Sequence, residues 1–182
     1  MEYKLSLLQT LQAMLIWDNM PTTALAILFQ VLLPMLLFIL LKKYRLARNI
    51  VVGLYVGAIV VLLLYPIWGS GWRINGDKLN MQAYGFSADI SIPAMEIGMV
   101  PTDGEWEIVI MENGAALPAL FEGKFRLANK KSVLAFDYGN QEKRLFIAAN
   151  NKYYLIAYPE TTALYKELIK LGAKEKKFTN IK

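Results

Sequence analysis

The chain contains no cysteine and no histidine. The first absence excludes a disulfide framework, a thiolate metal site and a cysteine nucleophile. The second removes the commonest general base and the commonest metal ligand near neutral pH. Charge is also scarce: only 19% of the 182 residues are Asp, Glu, Lys or Arg, against roughly 25% in an ordinary soluble domain. No Gly-rich phosphate loop, nucleophile elbow or metal-ligand cluster is present. The sequence therefore offers no catalytic, cofactor-binding or metal-binding residue, and the chain does not read as an enzyme.

The apolar surplus, 55% of the chain, is concentrated in residues 1–72, while the remainder reads like a domain large enough to bury one core. The stretch from Asn19 to Leu41 has no formal charge, and Pro21 to Leu41 is expected to be a first transmembrane helix. Ile50 to Trp68 is expected to be a second, so that residues 21–68 form a two-span hairpin. The intervening Lys42-Lys43-Tyr44-Arg45-Leu46-Ala47-Arg48-Asn49 carries four basic residues and no acidic one. Positive-inside counting places it in the cytoplasm, and both termini with the downstream module on the extracytoplasmic side of a multi-pass cell-membrane protein. Within residues 1–20, Leu7, Leu8, Leu11, Met14 and Leu15 recur at helical spacing, as in an amphipathic helix lying at a membrane interface. Gly53 and Gly57 form a small-xxx-small pair for close helix packing, against the first span or against another subunit.

Residues 69–71, Gly-Ser-Gly, read as a short hinge. Beyond them the text turns to short alternating runs. Asn75-Gly76-Asp77 is a hairpin signal between Trp72–Asn75 and Lys78–Ala83, and Ala88 to Ile92 follows. Trp106, Ile108 and Ile110 alternate with polar neighbours, and Asn113 to Gly123 reads as the longest loop. Lys124–Ala128 is set to pair with Ser132–Phe136, and Arg144–Ala149 with Lys152–Ala157 across Asn150-Asn151. A final helix starts at Thr161 or Thr162, carries Leu164, Leu168 and Leu171 on one face, and stops at Gly172. The expected fold is a membrane α-helical hairpin followed by a mainly-β module over 72–172. That module is a seven-stranded, meandering bent sheet or open barrel capped by the C-terminal helix, with a basic tail at 173–182.

This module resembles the bacterial pleckstrin-homology domain family. The resemblance is carried by Ile92-Pro93 with Glu96-Ile97, by Phe121-Glu122-Gly123-Lys124-Phe125-Arg126-Leu127 before a Lys-containing turn, and by Tyr153-Tyr154-Leu155-Ile156-Ala157-Tyr158-Pro159 before the helix. It implies a binding or assembly module. The first hairpin loop has one Lys against one Asp, so phosphoinositide recognition is not expected. Nucleic acid is not expected either, for want of a basic stripe. Candidate contact residues are Leu117, Pro118, Leu120 and Phe121, which make an apolar exception to polar loops. Lys166, Lys170 and Lys174, at helical spacing, are candidates for an anionic surface. The function expected is a membrane-anchored scaffold that recruits a protein partner or a second copy of itself. The alternatives are a surface lipid or small-ligand sensor, or an accessory subunit of a membrane transporter.

Overall fold

A computed structural model describes residues 1–6, 8–10, 12, 33–40, 42–64, 67, 69–117, 119–139 and 141–178. The strands are β1 (Glu2–Lys4), β2 (Gly71–Asn75), β3 (Lys78–Ala83), β4 (Phe86–Ser91), β5 (Glu96–Pro101), β6 (Ile108–Leu117), β7 (Leu120–Leu127), β8 (Ser132–Tyr138), β9 (Lys143–Ala149), β10 (Lys152–Ala157) and β11 (Lys174–Glu175). The helices are α1 (Leu33–Leu40), α2 (Arg45–Leu64) and α3 (Thr161–Lys170).

Local turn chemistry explains the hairpins. Gly76, at φ 59°, opens the two-residue turn that closes β2 on β3 with Asn75 opposite Lys78. Asn150 and Asn151 both take positive φ and bring Ala149 opposite Lys152 between β9 and β10, the pattern of a primed turn whose twist matches the flanking strands. The strands then divide into a four-stranded sheet, β1-β2-β3-β4, and a seven-stranded sheet, β11-β5-β9-β10-β8-β7-β6. The expected single meander is thereby corrected. β8 and β10 pair in parallel and β9 pairs with β5, so chain neighbours are not always sheet neighbours. The expected loop from Asn113 to Gly123 is mostly the β6–β7 hairpin. Gly114 and Gly123 face each other there, and a Cβ on either would run into the opposing backbone.

The large sheet is apolar on both faces. One face, with Ile97, Leu120, Phe136, Leu145, Ile147, Tyr154 and Ile156, packs against Trp72, Leu79, Met81 and Ile90 of the small sheet and against Leu164 and Leu168 of α3. The other holds Phe125, Leu127, Val133, Ala135, Phe146 and Leu155 beneath Trp106 and Phe178. The Trp106 and Phe178 rings meet Phe146 edge-on, each with centroids 4.8 Å apart. Gly98 makes room for the returning C-terminal segment, since a Cβ there would strike the Phe178 ring and the Lys176 carbonyl. Residues 173–178, expected as a tail, are thus part of the module.

The N-terminal residues are as well. β1 pairs with β2, Leu5 is buried, and Leu5 N–H donates to the Ser70 carbonyl at 3.0 Å. Ser6 and Gln9 form a capping box, with Ser6 N–H donating to Gln9 Oε1 at 2.9 Å and Gln9 N–H donating to Ser6 Oγ at 3.2 Å. Most of the expected interfacial helix after this point lies outside the described residues. The supposed hinge is closely built: Ser70 is fully buried, and Gly71 lies against the Tyr3 backbone where no Cβ fits.

The membrane-helix expectation is overturned. Among the described residues no helix is long and apolar enough to cross a membrane. α2 has 20 residues but opens with Arg45-Leu46-Ala47-Arg48-Asn49, which leaves Ile50 to Leu64 as its uncharged part. At 1.5 Å per residue that part is about 22 Å long, short of the roughly 30 Å of a hydrocarbon core. α1 has only 8 residues, and the rest of the expected first span lies outside the described residues. The two-span hairpin, the multi-pass localisation and the extracytoplasmic placement derived from it fall together.

A buried ion pair fixes the covering of the outer face. Arg144 Nε donates to Asp137 Oδ2 at 2.7 Å, and Arg144 Nη1 donates to the carbonyls of Thr102 and Trp106 at 3.2 and 3.3 Å. Removing one member of such a pair strands the other in low dielectric, at about 3 to 5 kcal/mol. Arg144→Met is therefore expected to lower urea-unfolding stability by about 3 kcal/mol and to loosen Trp106, seen as a shift in its fluorescence. A variant as stable as wild type would refute this role.

Candidate functional site

The Asn150–Asn151 turn separates two surface grooves. The larger, of 520 Å³, runs between β4 and the β7–β8–β10 part of the large sheet and is lined by Phe86, Ala88, Lys124, Leu134, Lys152 and Tyr153, among others. The smaller, of 420 Å³, lies across the turn and includes Glu96, Lys152, Tyr153, Lys174, Lys176 and Phe178. β4 pairs only with β3 among the described residues. Alternate backbone N–H and C=O groups along its outer edge therefore have no strand partner, beside the larger groove.

Electrostatics give this groove one sign. Its carboxylate, Glu112, accepts from Ser132 Oγ at 2.6 Å and from Arg126 Nε and Nη2 at 2.9 and 2.6 Å. The Ser132 hydroxyl and then the Arg126 guanidinium hold its pKa below the usual carboxylate value. Neither Lys124 nor Lys152 forms an ion pair among the described residues. The Lys124 ammonium stands 4.7 Å from the Phe86 ring centroid, bridging the groove from β7 to β4. Lys131 Nζ sits 4.3 Å from the Tyr153 ring centroid and donates to Tyr153 Oη at 3.1 Å, while the same ring stacks on Phe146 at 5.6 Å. These contacts hold the Tyr153 ring on the opposite face of the large sheet, with Phe146, so that its strand and not its ring borders the larger groove. In the smaller groove Lys176 is already committed to Glu96 at 2.6 Å.

Behind the groove, Glu122 of β7 is fully buried at the seam between the two sheets. Burial pushes its pKa up to about 8, against the smaller opposing effects of the Ser70 hydroxyl and the Tyr84 backbone N–H. Those groups favour the ionised form without reaching hydrogen-bond geometry, and neither carboxyl oxygen has a hydrogen-bond partner. The carboxyl is thus held neutral near pH 7.

The residues singled out from sequence are scattered. Leu120 is wholly inside the core, Leu117 and Phe121 are half-buried against it, and Pro118 lies outside the described residues. Lys166 and Lys170 are exposed on α3, with Lys170 paired to Glu167 at 3.2 Å, whereas Lys174 belongs to β11 and lines the smaller groove. Gly53 and Gly57 sit on α2 with nothing within 4 Å of where a Cβ would stand. Lys124, Lys152, Phe86 and Tyr153 were not singled out. Each sits in ordinary alternating strand text, and only the pairing of β10 with β8 and the packing of the two sheets bring them together. Among the described residues no group of three or more acidic side chains is placed to hold a metal ion.

Scans against protein-family models, curated proteins and solved structures found no match to this chain. They do not bear on the pleckstrin-homology resemblance.

Two outcomes follow from these placements. Leu120→Ala is expected to cost about 3 kcal/mol in chemical denaturation, as a core truncation does, while Lys166→Ala stays within about 0.5 kcal/mol; equal, small effects would return Leu120 to the surface. Glu122 makes stability fall with pH. Its folded pKa of about 8 lies above the ordinary 4.5, so its contribution is complete below pH 4.5 and declines by about 1.4 kcal/mol per unit until about pH 8. Glu122→Gln should therefore unfold at higher urea than wild type at pH 9 and close to it at pH 5. Parallel curves at both pH values would contradict the buried neutral acid.

Proposed function

We propose that the β-rich part of this chain is a protein-binding module that captures an extended segment of a partner in which acidic and apolar residues alternate. The observation that carries this reading is the free edge of β4 beside a groove lined by two ammonium groups, Lys124 and Lys152, that make no direct ion pair among the described residues. An extended peptide adding to that edge satisfies the outward backbone groups, as strand addition does in other peptide-binding folds. Side chains on one face of the added strand would meet Phe86, Ala88 and Leu134, while carboxylates reach Lys124 and Lys152 with charge-assisted hydrogen bonds. The Glu112 carboxylate is paired with Arg126 and hydrogen-bonded by Ser132, which limits its repulsion of an incoming acidic segment.

The reading accords with the recruiting role anticipated for the module from its sequence. A synthetic peptide of about eight residues, the length of an ordinary strand, with Glu and Val alternating, serves as the probe in fluorescence anisotropy. It is expected to bind the full chain, to weaken with salt, and to lose at least about tenfold in affinity to the Lys124→Glu, Lys152→Glu double variant. Lys166→Glu, remote on α3, should leave the affinity unchanged. Equal binding of a Lys–Val peptide, or indifference to the double reversal, would defeat the proposal.

A further inference from the structure

The two walls of the larger groove are the outer ends of elements that also meet inside the protein. Tyr84 and Gly85 form the two-residue turn between β3 and β4, at φ 48° and 77°, and place Ala83 opposite Phe86. Phe86 is the groove wall directly after that turn. On the other side, Glu122 and Gly123 immediately precede Lys124 on β7. Outside, the two elements touch through the Lys124 ammonium and the Phe86 ring. Inside, the Glu122 carboxyl sits with Ser70 and the Tyr84 amide.

Ser70 is the hub of this seam. Its carbonyl accepts from Leu5 N–H at 3.0 Å, its own N–H donates to the Ile67 carbonyl at 3.1 Å, and its hydroxyl oxygen accepts from Tyr84 N–H at 3.4 Å. The N-terminal strand, the exit from α2, the β3–β4 turn and β7 are thus gathered around one carboxyl that has no hydrogen-bond partner.

We propose that Glu122 is a proton-controlled latch for the larger groove, the β3–β4 turn staying closed on β7 while the buried carboxyl is neutral and lifting when it is ionised. This rests on the reading of that groove as the docking site. The surroundings supply no cation to accept the ionised form. On β6 and β8 its cross-strand neighbours are Ala115 and Phe136; the turn presents Tyr84 and the segment before β2 presents Ser70. The phenols of Tyr3 and Tyr158, in the same core layer, are themselves pushed upward by burial, so they stay neutral through the same pH range. Lys124, two residues along β7, keeps its ammonium over Phe86, and no charged side chain acts on the Glu122 carboxyl. A carboxylate here gains solvation only by admitting water, and the two-residue turn is the seam element with the least chain to move. Lifting it carries Phe86 away from Lys124 and dismantles one groove wall.

If only the protonated form docks the peptide, the apparent affinity scales with the protonated fraction. With a value of about 8, the affinity of wild type for the Glu–Val peptide should fall about tenfold from pH 7 to pH 9. Over that range the probe's carboxylates stay ionised. Glu122→Gln, neutral throughout, should show a flat profile. In parallel, amide hydrogen exchange over residues 83–88 of the full chain, corrected for the intrinsic pH dependence, should lose protection above about pH 8 in wild type and keep it in Glu122→Gln. Unchanged wild-type protection, or the same loss in both proteins, overturns the latch whatever the peptide does. Should protection behave as expected while no peptide binds at any pH, the latch stands and the docking reading alone fails. A peptide profile that declines equally in both proteins also overturns the latch.

Discussion

A sheet that is apolar on both faces must be covered twice, and this requirement governs the whole β-rich part of the chain. The seven-stranded sheet meets it with unequal covers. One face receives a second sheet and a helix, which supply Trp72, Leu79, Met81, Ile90, Leu164 and Leu168. Among the described residues the other receives two rings, Trp106 from a single 3-10 turn and Phe178 from the C-terminal segment. A thin cover needs anchoring, and the Arg144–Asp137 pair provides it by fixing two carbonyls of the segment that carries Trp106. Such a pair contributes definition more than net stability, because desolvating both charges offsets much of their attraction. Burial alone raises the Asp137 carboxyl, and the guanidinium only partly counters it.

The same requirement creates the groove. The small sheet has four strands and the large sheet seven, so one cannot cover the whole face of the other. Where β4 ends the small sheet, the large sheet continues beneath as β7, β8 and β10, and a step is left between them. A step of this kind combines an unpaired strand edge with side chains that stand up from a supported floor. Lysine at such an edge ordinarily discourages pairing with other chains. Lys124 and Lys152 stand beside this edge, and under the proposed docking they would repel basic strands and leave acidic ones acceptable.

Much of the β architecture was legible wherever a local rule sufficed. Asn75-Gly76-Asp77 and Asn150-Asn151 specify tight turns through the positive φ they tolerate, and Leu164 with Leu168 marks the buried stripe of α3. The failures have physical causes. Gly114, Ala115 and Ala116 read as loop because small residues lack strand propensity, yet their smallness is what lets β6 lie against β7 at Gly123. The parallel pairing of β8 with β10 is written in no local pattern. β1, at 3 residues, is too short to show a period, and the leucines that follow it suggest a helix until Leu5 is seen inside the core. The apolar runs before residue 72 were weighed by the absence of charge. In α2 that criterion overlooked how the helix begins with the basic segment and spends a turn of its length there. Met35, Leu36, Ile39, Leu46 and Leu54 are nonetheless exposed on these helices, so the apolar character is real even though the spanning geometry is not.

Glu122 shows why a site can be invisible in sequence and unambiguous in three dimensions. Within Leu120-Phe121-Glu122-Gly123-Lys124 a charged residue reads as the solvent face of a strand. The alternation is correct, but the face is the wrong one: Glu122 shares its side of the sheet with Leu120 and Phe136, and the small sheet closes over it. An apolar residue there would pack without an ionisation cost, so the carboxyl weakens the fold at high pH while it stays neutral at low pH. A group that lowers stability in one pH range, at the junction of four chain segments and two residues from Lys124 at the groove wall, favours any opening that hydrates it as much as it favours global unfolding. The seam it occupies contains few bonds to break: one long contact from Tyr84 to Ser70 and one cation over a ring. Local openings draw on the less stable parts of a structure, and this sparsely bonded seam lies next to the free edge of β4 beside the larger groove.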